Sequence, residues 1–155
     1  MDTIWTAIGS LATAFSFVLL AVSIWYVREQ LKEMTKATAA SAYIGIMNMI
    51  QDEKFRLHRR YVFTSIGVKT LDKWTEEDVR NAEAVCHSYD TVCRLARLGL
   101  YPPEWLFDSS GNSIIRSWVI LTPMVEKYRK DRDDVVFWDD FEWGAGEAKK
   151  MKNRQ

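Results

Sequence analysis

The chain has 155 residues, and its 21 Lys and Arg residues balance its 21 Asp and Glu residues. This length fits one compact domain. The zero net charge argues against a general nucleic-acid binder, because nonspecific affinity comes from neutralised phosphates. Two cysteines, Cys86 and Cys93, are too few for a disulfide framework and too far apart on one helix to bridge. The low numbers of Pro (3) and Gly (7) are typical of a helical protein.

The N-terminal segment has no charged residue between Asp2 and Arg28. A helix of about 20 apolar residues crosses a bilayer, and this segment is longer. The rings of Trp5, Trp25 and Tyr26 near its ends are typical of the headgroup level. Because Arg28 and further basic residues follow it, the positive-inside rule predicts a single-pass protein of the bacterial inner membrane, with the N-terminus outside and the remainder cytoplasmic. A cleaved signal peptide is the alternative, but the charged n-region is missing.

Small and hydroxylated residues recur along this segment at helical spacing. Such residues let helices approach closely in lipid, and hydroxyl groups can bond across the interface. The pattern predicts a self-association face or the lining of a pore, whereas hydroxyl bonds to the helix's own carbonyls are the alternative. The stripe consists of Thr6, Gly9, Ser10, Thr13, Ser16 and Ser23.

The remaining sequence predicts an all-α protein, because no strand-like alternation has any length. We expect a transmembrane helix over residues 1–27, a helical stalk over 28–51, a cytoplasmic bundle of four or five helices over 52–143, and a frayed polar tail over 144–155. The expected packing face of the stalk consists of Met34, Ala37, Ser41, Ile44 and Met47.

Local signals place the later helices. A capping-box pattern at Thr75–Asp78 predicts a helix from Glu76 to Leu98. Residues 108–112 read as a loop before a helix over 113–129, in which Pro123 predicts a kink or a broken turn. The aromatic segment over residues 135–143 predicts a last short helix.

One spacing is compatible with catalysis. Arg80 and His87 are seven residues apart, nearly two helical turns, so their side chains leave the same face. A metal-independent ribonuclease needs a base with a near-neutral pKa and a cation for the phosphate, and these residue types fit those roles. The alternative is a solvated helix face on which Glu83, Asp90 and Arg94 supply opposite charges. Phosphate loops, nucleophile elbows and metal-ligand spacings are missing, so neither a metal nor a cofactor is predicted.

A second candidate is a basic run with interleaved rings. It predicts contact with RNA or with anionic lipid headgroups. The alternative is the solvated side of an amphipathic helix. The cations of this run are Lys54, Arg56, Arg59 and Arg60.

Several segments resemble a family of small bacterial membrane proteins of unassigned function: FRLHRRYVF, CHSYDTVCRLARLGLYP, SWVILTPMVEKYR and FWDDFEW. The pattern is also similar to the membrane accessory proteins of type VI-B CRISPR systems. That resemblance implies a helical domain of the higher-eukaryote-and-prokaryote nucleotide-binding (HEPN) class, assembled into a ring-like pore for antiphage defence. Arg80, Asn81 and His87 match the HEPN motif at its longest spacing.

The expected function is therefore a homo-oligomeric pore that permeabilises or depolarises the membrane as an antiphage-defence accessory. A membrane-tethered HEPN-type ribonuclease, with Arg80 and His87 as its catalytic pair, and a non-catalytic membrane scaffold are the alternatives. The expected partners are the lipid bilayer, further copies of the chain, and a cytosolic defence protein or RNA.

Overall fold

Five α-helices form the chain in this computed structural model, which describes the backbone of residues 2–154 and the side chains of residues 15–154. The described residues contain no β-strand, so the all-α prediction is confirmed. Two short 3-10 helices, Ile66–Val68 and Leu71–Lys73, lie between the second and third α-helices. The α-helices are α1 (Asp2–Gln51), α2 (Glu53–Thr64), α3 (Glu76–Arg97), α4 (Pro103–Arg132) and α5 (Asp139–Lys152).

The chain divides into two units, Met1–Thr38 and Ala39–Gln155. In the first unit, every described side chain, from Phe15 onward, is exposed. Within the described part of the chain, no helix is both long and apolar enough to cross a membrane. The predicted span, residues 1–27, begins in a stretch whose side chains lie outside the described residues.

The core of the second unit forms around α3, which packs against α2, α4 and α5. One face of α3 is almost completely inaccessible to solvent, as its helical periodicity predicts. Burying such side chains contributes roughly 1.5–3 kcal/mol for each large aliphatic residue. The buried apolar residues of α3 are Ala82, Val85, Cys86, Tyr89, Val92, Cys93 and Ala96.

The predicted capping box at the start of α3 is confirmed. The Thr75 side chain accepts a hydrogen bond from the Asp78 amide, and the Asp78 side chain accepts one from the Thr75 amide. Asp78 is completely buried and also accepts two hydrogen bonds from Lys69 Nζ, at 2.9 and 2.8 Å. Burial opposes ionisation of Asp78, but the hydrogen bonds from Lys69 and Thr75 outweigh it and lower its pKa to about 2.

Only Asp52 separates the last residue of α1, Gln51, from the first residue of α2, Glu53. The Asp52 carboxylate accepts hydrogen bonds from the Lys54 and Phe55 amides, so it caps α2. Helix α1 reaches this junction with Ile46 and Ile50 buried. The predicted stalk face, which did not include these two residues, is therefore wrong except at Met47.

Four of the predicted stalk residues, Met34, Ala37, Ser41 and Ile44, are exposed, whereas Met47 is partly buried and its sulfur lies 3.7 Å from Ser109 Oγ. The other partly buried residues of α1 that pack against the core are Ala39, Tyr43 and Met49.

The predicted loop over residues 108–112 is wrong, because α4 runs through it without a break. Ser109 Oγ donates to the backbone carbonyls of Trp105 and Leu106, so this polar residue is satisfied within the helix. A Cβ on the buried Gly111 would lie 3.4 Å from Ala148 Cβ, so this glycine fits a close approach of α5. Helix α4 also continues past Pro123 to Arg132.

The predicted polar tail is also wrong, since residues 144–152 belong to α5 and help to form the core. Gly144 is buried where α5 crosses α3, and a Cβ there would overlap Cys93 Sγ. The helix begins at Asp139, later than predicted, because Trp138 before it has a left-handed backbone with a φ of 58°. Three small buried residues of α5 explain why hydropathy missed this packing face: Gly144, Ala145 and Ala148.

Candidate functional site

The HEPN-type motif lies on α3, but its residues have separate partners. Arg80 is largely exposed, with a guanidinium nitrogen 3.9 Å from Glu76. Asn81 Oδ1 lies 2.7 Å from His58 Nδ1, and Asn81 Nδ2 donates to the Glu77 carbonyl. Asn81 therefore links α3 to α2.

His87 is exposed and belongs to an aromatic cluster. Trp138 Nε1 donates to His87 Nδ1 at 3.3 Å, and the two rings meet edge to face. In a neutral ring this bond assigns the proton to His87 Nε2. Tyr128 stacks on Trp138, and Arg132 lies over the Tyr128 ring.

The acids beside His87 also have structural roles. Glu83 accepts a hydrogen bond from Tyr128 at 2.8 Å, and burial together with this bond raises the pKa of Tyr128 to about 12. Asp90 accepts from the Phe141 amide at the start of α5, and burial raises the Asp90 pKa. The structure thus shows no contact between Arg80 and His87 within the described chain, and the catalytic pair stays a prediction.

A different cluster of side chains is brought together between α2 and α4. Arg56, Arg60 and Phe63 lie on one face of α2, and a matching row of α4 residues faces them. The groove between the two rows has a volume of about 780 Å³. Its lining comprises Glu53, Arg56, Leu57, Arg59, Arg60, Phe63, Thr64, Ser109, Ser110, Ser113 and Arg116, and we call it the arginine groove.

Two arginines of the arginine groove are held by aromatic rings. The Arg116 guanidinium carbon lies 4.4 Å from the centre of the Phe63 ring, and that of Arg59 lies 5.5 Å from the centre of the Phe55 ring. Such cation–π contacts orient a guanidinium without neutralising its charge. These cations therefore remain available to an anionic ligand.

The sequence analysis predicted half of this site. Arg56, Arg59 and Arg60 line the arginine groove, whereas Lys54 on the same helix does not. Ser109 and Ser110 were missed because residues 108–112 read as a loop, and Ser113 and Arg116 were missed because only helix packing brings them to α2. The signal that would have found them is the spacing of Ser109, Ser113 and Arg116, which repeats at four and then three residues, as on one helix face.

The predicted self-association stripe is described only in part. The side chains of Thr6, Gly9, Ser10 and Thr13, and that of Trp5 at the predicted interface, lie outside the described residues. Ser23 Oγ donates to the Leu19 carbonyl at 2.8 Å, as expected for a hydroxyl bonded to its own helix. The predicted interface residues Trp25, Tyr26 and Arg28 are exposed. Ser16 is exposed as well.

The described side chains contain no cluster of three or more His, Cys, Asp or Glu residues able to hold a metal ion. Cys86 and Cys93 are free and buried. Burial raises the pKa of both thiols well above the ordinary value, so they are protonated at neutral pH.

The fold and the groove define an all-α protein with a cationic surface cleft. The family described as "Domain of unknown function (DUF4760)" matches residues 10–147, and the chain belongs to this family. No curated protein and no solved structure matches the chain.

Proposed function

We propose that the protein is a homo-oligomer of the bacterial inner membrane, anchored by the N-terminal part of α1. The observation that carries this proposal is the exposure of ten large apolar side chains between residues 15 and 27, each with 50–66% of its surface accessible. They are spread over most of the circumference of the helix, outside the sector that holds Ser16 and Ser23. A helix that is apolar all round requires lipid or other protein around it.

The energetic case follows from the same side chains. Each gains roughly 1.5–3 kcal/mol on leaving water, so a helix carrying ten of them is unfavourable in aqueous solution. The uncharged segment continues back to Thr3, which gives it the length of a bilayer span. Exposed Trp25 and Tyr26, followed by Arg28, supply the interfacial residues of the cytoplasmic end.

Pore formation is the finer part of the proposal. A single helix cannot enclose a channel, so conduction requires a closed ring of subunits. The small and hydroxylated stripe from Thr6 to Ser23 supports close helix packing in such a ring. The resemblance to type VI-B CRISPR membrane accessory proteins supports a role in antiphage defence through depolarisation, with a cytosolic defence protein as the partner.

Membrane insertion is tested by flotation of the full chain with liposomes, followed by an alkaline carbonate wash. We expect the wild-type protein to stay with the lipid. Phe15→Arg places a charge near the middle of the span and costs about 2.5–3.5 kcal/mol of insertion energy. Met34→Arg is the matched control, because Met34 is exposed to the same extent as Phe15, 65%, but lies beyond the span. Release of the wild type by carbonate contradicts the proposal.

Oligomerisation and conduction need separate measurements. Native mass spectrometry in detergent should give one closed oligomer, and potassium flux should appear in liposomes that contain it. A protein that inserts and oligomerises but leaves liposomes tight rules out the pore and favours the non-catalytic scaffold. A strictly monomeric detergent-solubilised protein rules out both the ring and the pore.

The ribonuclease alternative and the HEPN-like class of the helical domain have weaker support. His87 supplies an exposed imidazole, but Arg80 has its own contact with Glu76. A composite site would need the cation from a second subunit. RNA cleavage that is lost in His87→Ala, without metal, would support this alternative.

A further inference from the structure

We propose that the arginine groove binds a small molecule with clustered phosphate groups, of the polyphosphate class. This site uses residues of α2 and α4 only, so it is independent of membrane insertion and of pore formation. Its ligand is recognised through the phosphates, as the charges, hydroxyl groups and rings of the groove indicate.

The charge of the groove is the first argument. Four arginines and one glutamate give the lining a formal charge of +3. None of these four arginines forms an ion pair with any described carboxylate, whereas Arg94, Arg97 and Arg129 elsewhere in the second unit each do. Gathering like charges in one cleft is unfavourable without a counter-anion. Guanidinium groups bind phosphate oxygens through two parallel hydrogen bonds, which suits this ligand.

The hydroxyl groups add neutral donors beside the guanidinium groups. Ser113 Oγ accepts a hydrogen bond of 2.8 Å from the buried Tyr89, so its own proton is left for another acceptor. Tyr89 also fixes the position of this oxygen, because the tyrosine ring packs against Phe55 and Phe141. A phosphate oxygen in the groove would accept the Ser113 proton.

The rings and the size of the groove favour a small ligand over RNA. Arg116 already covers a face of Phe63, so on that face the ring orients the cation and cannot stack with a base. A volume of about 780 Å³ lies within the roughly 300–1,000 Å³ typical of small-molecule sites. Lys54 lies outside the lining, so the basic run is not one continuous track for an extended strand.

The test is isothermal titration calorimetry on the full chain in nonionic detergent, with EDTA present. The probes are inorganic tripolyphosphate and ATP. We expect one site per chain, with affinity reduced at least about tenfold by Arg60→Gln and by Arg116→Gln, which corresponds to about 1.4 kcal/mol for each. Lys54→Gln is the matched control, because it removes an exposed cation of the same helix outside the groove, and it should change the affinity less than about twofold.

Folding of each variant is checked by circular dichroism and thermal melting, and Arg116→Lys replaces Arg116→Gln if the latter unfolds. Equal losses in Lys54→Gln and Arg60→Gln would overturn the proposal in favour of a diffuse basic surface. Absence of binding at about 1 mM probe overturns it as well. So does preferential binding of oligoribonucleotides whose affinity rises with length, or of phosphatidylglycerol vesicles, when Arg60→Gln and Arg116→Gln weaken that binding, because the groove is then part of an RNA or membrane surface.

Discussion

The crossing of α3 and α5 predicts that alanine substitution has opposite effects on the stability of the fold at two glycines of α5. Gly144 and Gly146 are both in α5. A Cβ on Gly144 would lie 3.0 Å from Cys93 Cβ and overlap its Sγ, whereas a Cβ on Gly146 meets nothing within 4 Å. Both substitutions gain about 0.5–1 kcal/mol of helix propensity. Only Gly144→Ala also overpacks a buried contact, at a cost of about 1–3 kcal/mol.

We therefore expect Gly146→Ala to raise the free energy of unfolding by about 0.5–1 kcal/mol and Gly144→Ala to lower it by up to about 2.5 kcal/mol. The assay is urea denaturation of the full chain in nonionic detergent, followed by circular dichroism. Cys93→Ala removes the overlapping sulfur, so it should relieve part of the cost of Gly144→Ala in a double-mutant cycle. Equal stabilisation by the two glycine substitutions would refute the close packing of α3 against α5.

Three further predictions concern buried or partly buried polar groups. Asp78→Asn should lower stability by about 1–3 kcal/mol at neutral pH. Hydrogen bonds hold the Asp78 pKa at about 2, below its ordinary 3.8. The stabilisation that ionised Asp78 provides is therefore complete above about pH 4 and is lost as the pH falls toward 2. A difference in unfolding free energy between wild type and Asp78→Asn that does not change with pH in urea denaturation contradicts this. Cys86 and Cys93 should not react with a thiol reagent at pH 8 until denaturant is added, and rapid labelling of the native protein would contradict their burial. Tyr128→Phe should cost about 1 kcal/mol through the lost bond to Glu83, and should remove a phenolate absorbance step near pH 12, measured by spectrophotometric titration.

Helix α3 could be predicted closely from the sequence, because its signals are local. Thr75 and Asp78 cap its start, and its buried residues repeat with the period of a helix. Helix α2 also has a local start signal, since Asp52 caps it, and Phe55, Val62 and the following Ile66 are buried. Local chemistry and tertiary packing agree in this part of the chain.

The later helices could not be placed because tertiary contacts override their local signals. Ser109, Ser110 and Gly111 favour a loop by propensity, yet α4 is continuous since Gly111 accommodates α5. Gly144 favours a tail by composition, yet small size is the property that α5 needs against Cys93. No single-sequence rule identifies a glycine as a packing surface before its partner helix is known.

The arginine groove also combines residues that the sequence pattern identifies with residues that only helix packing identifies. The α2 cations were recognisable from the run itself, whereas Arg116 lies more than fifty residues away and joins them only through helix packing. For Arg80 and His87 the sequence spacing gave a shared face, but the structure gives them different partners. Their catalytic role stays a prediction.

The connection between α1 and α2 consists of the single residue Asp52, so it has no flexible loop. The connection is also restrained, because the Asp52 carboxylate accepts hydrogen bonds from the first turn of α2. Any displacement of α2 relative to α4 must therefore be absorbed by torsion at Asp52 or passed on as movement of the end of α1. The helix that supplies Arg56, Arg59 and Arg60 is thus joined directly to the end of α1 where Ile46 and Ile50 are buried.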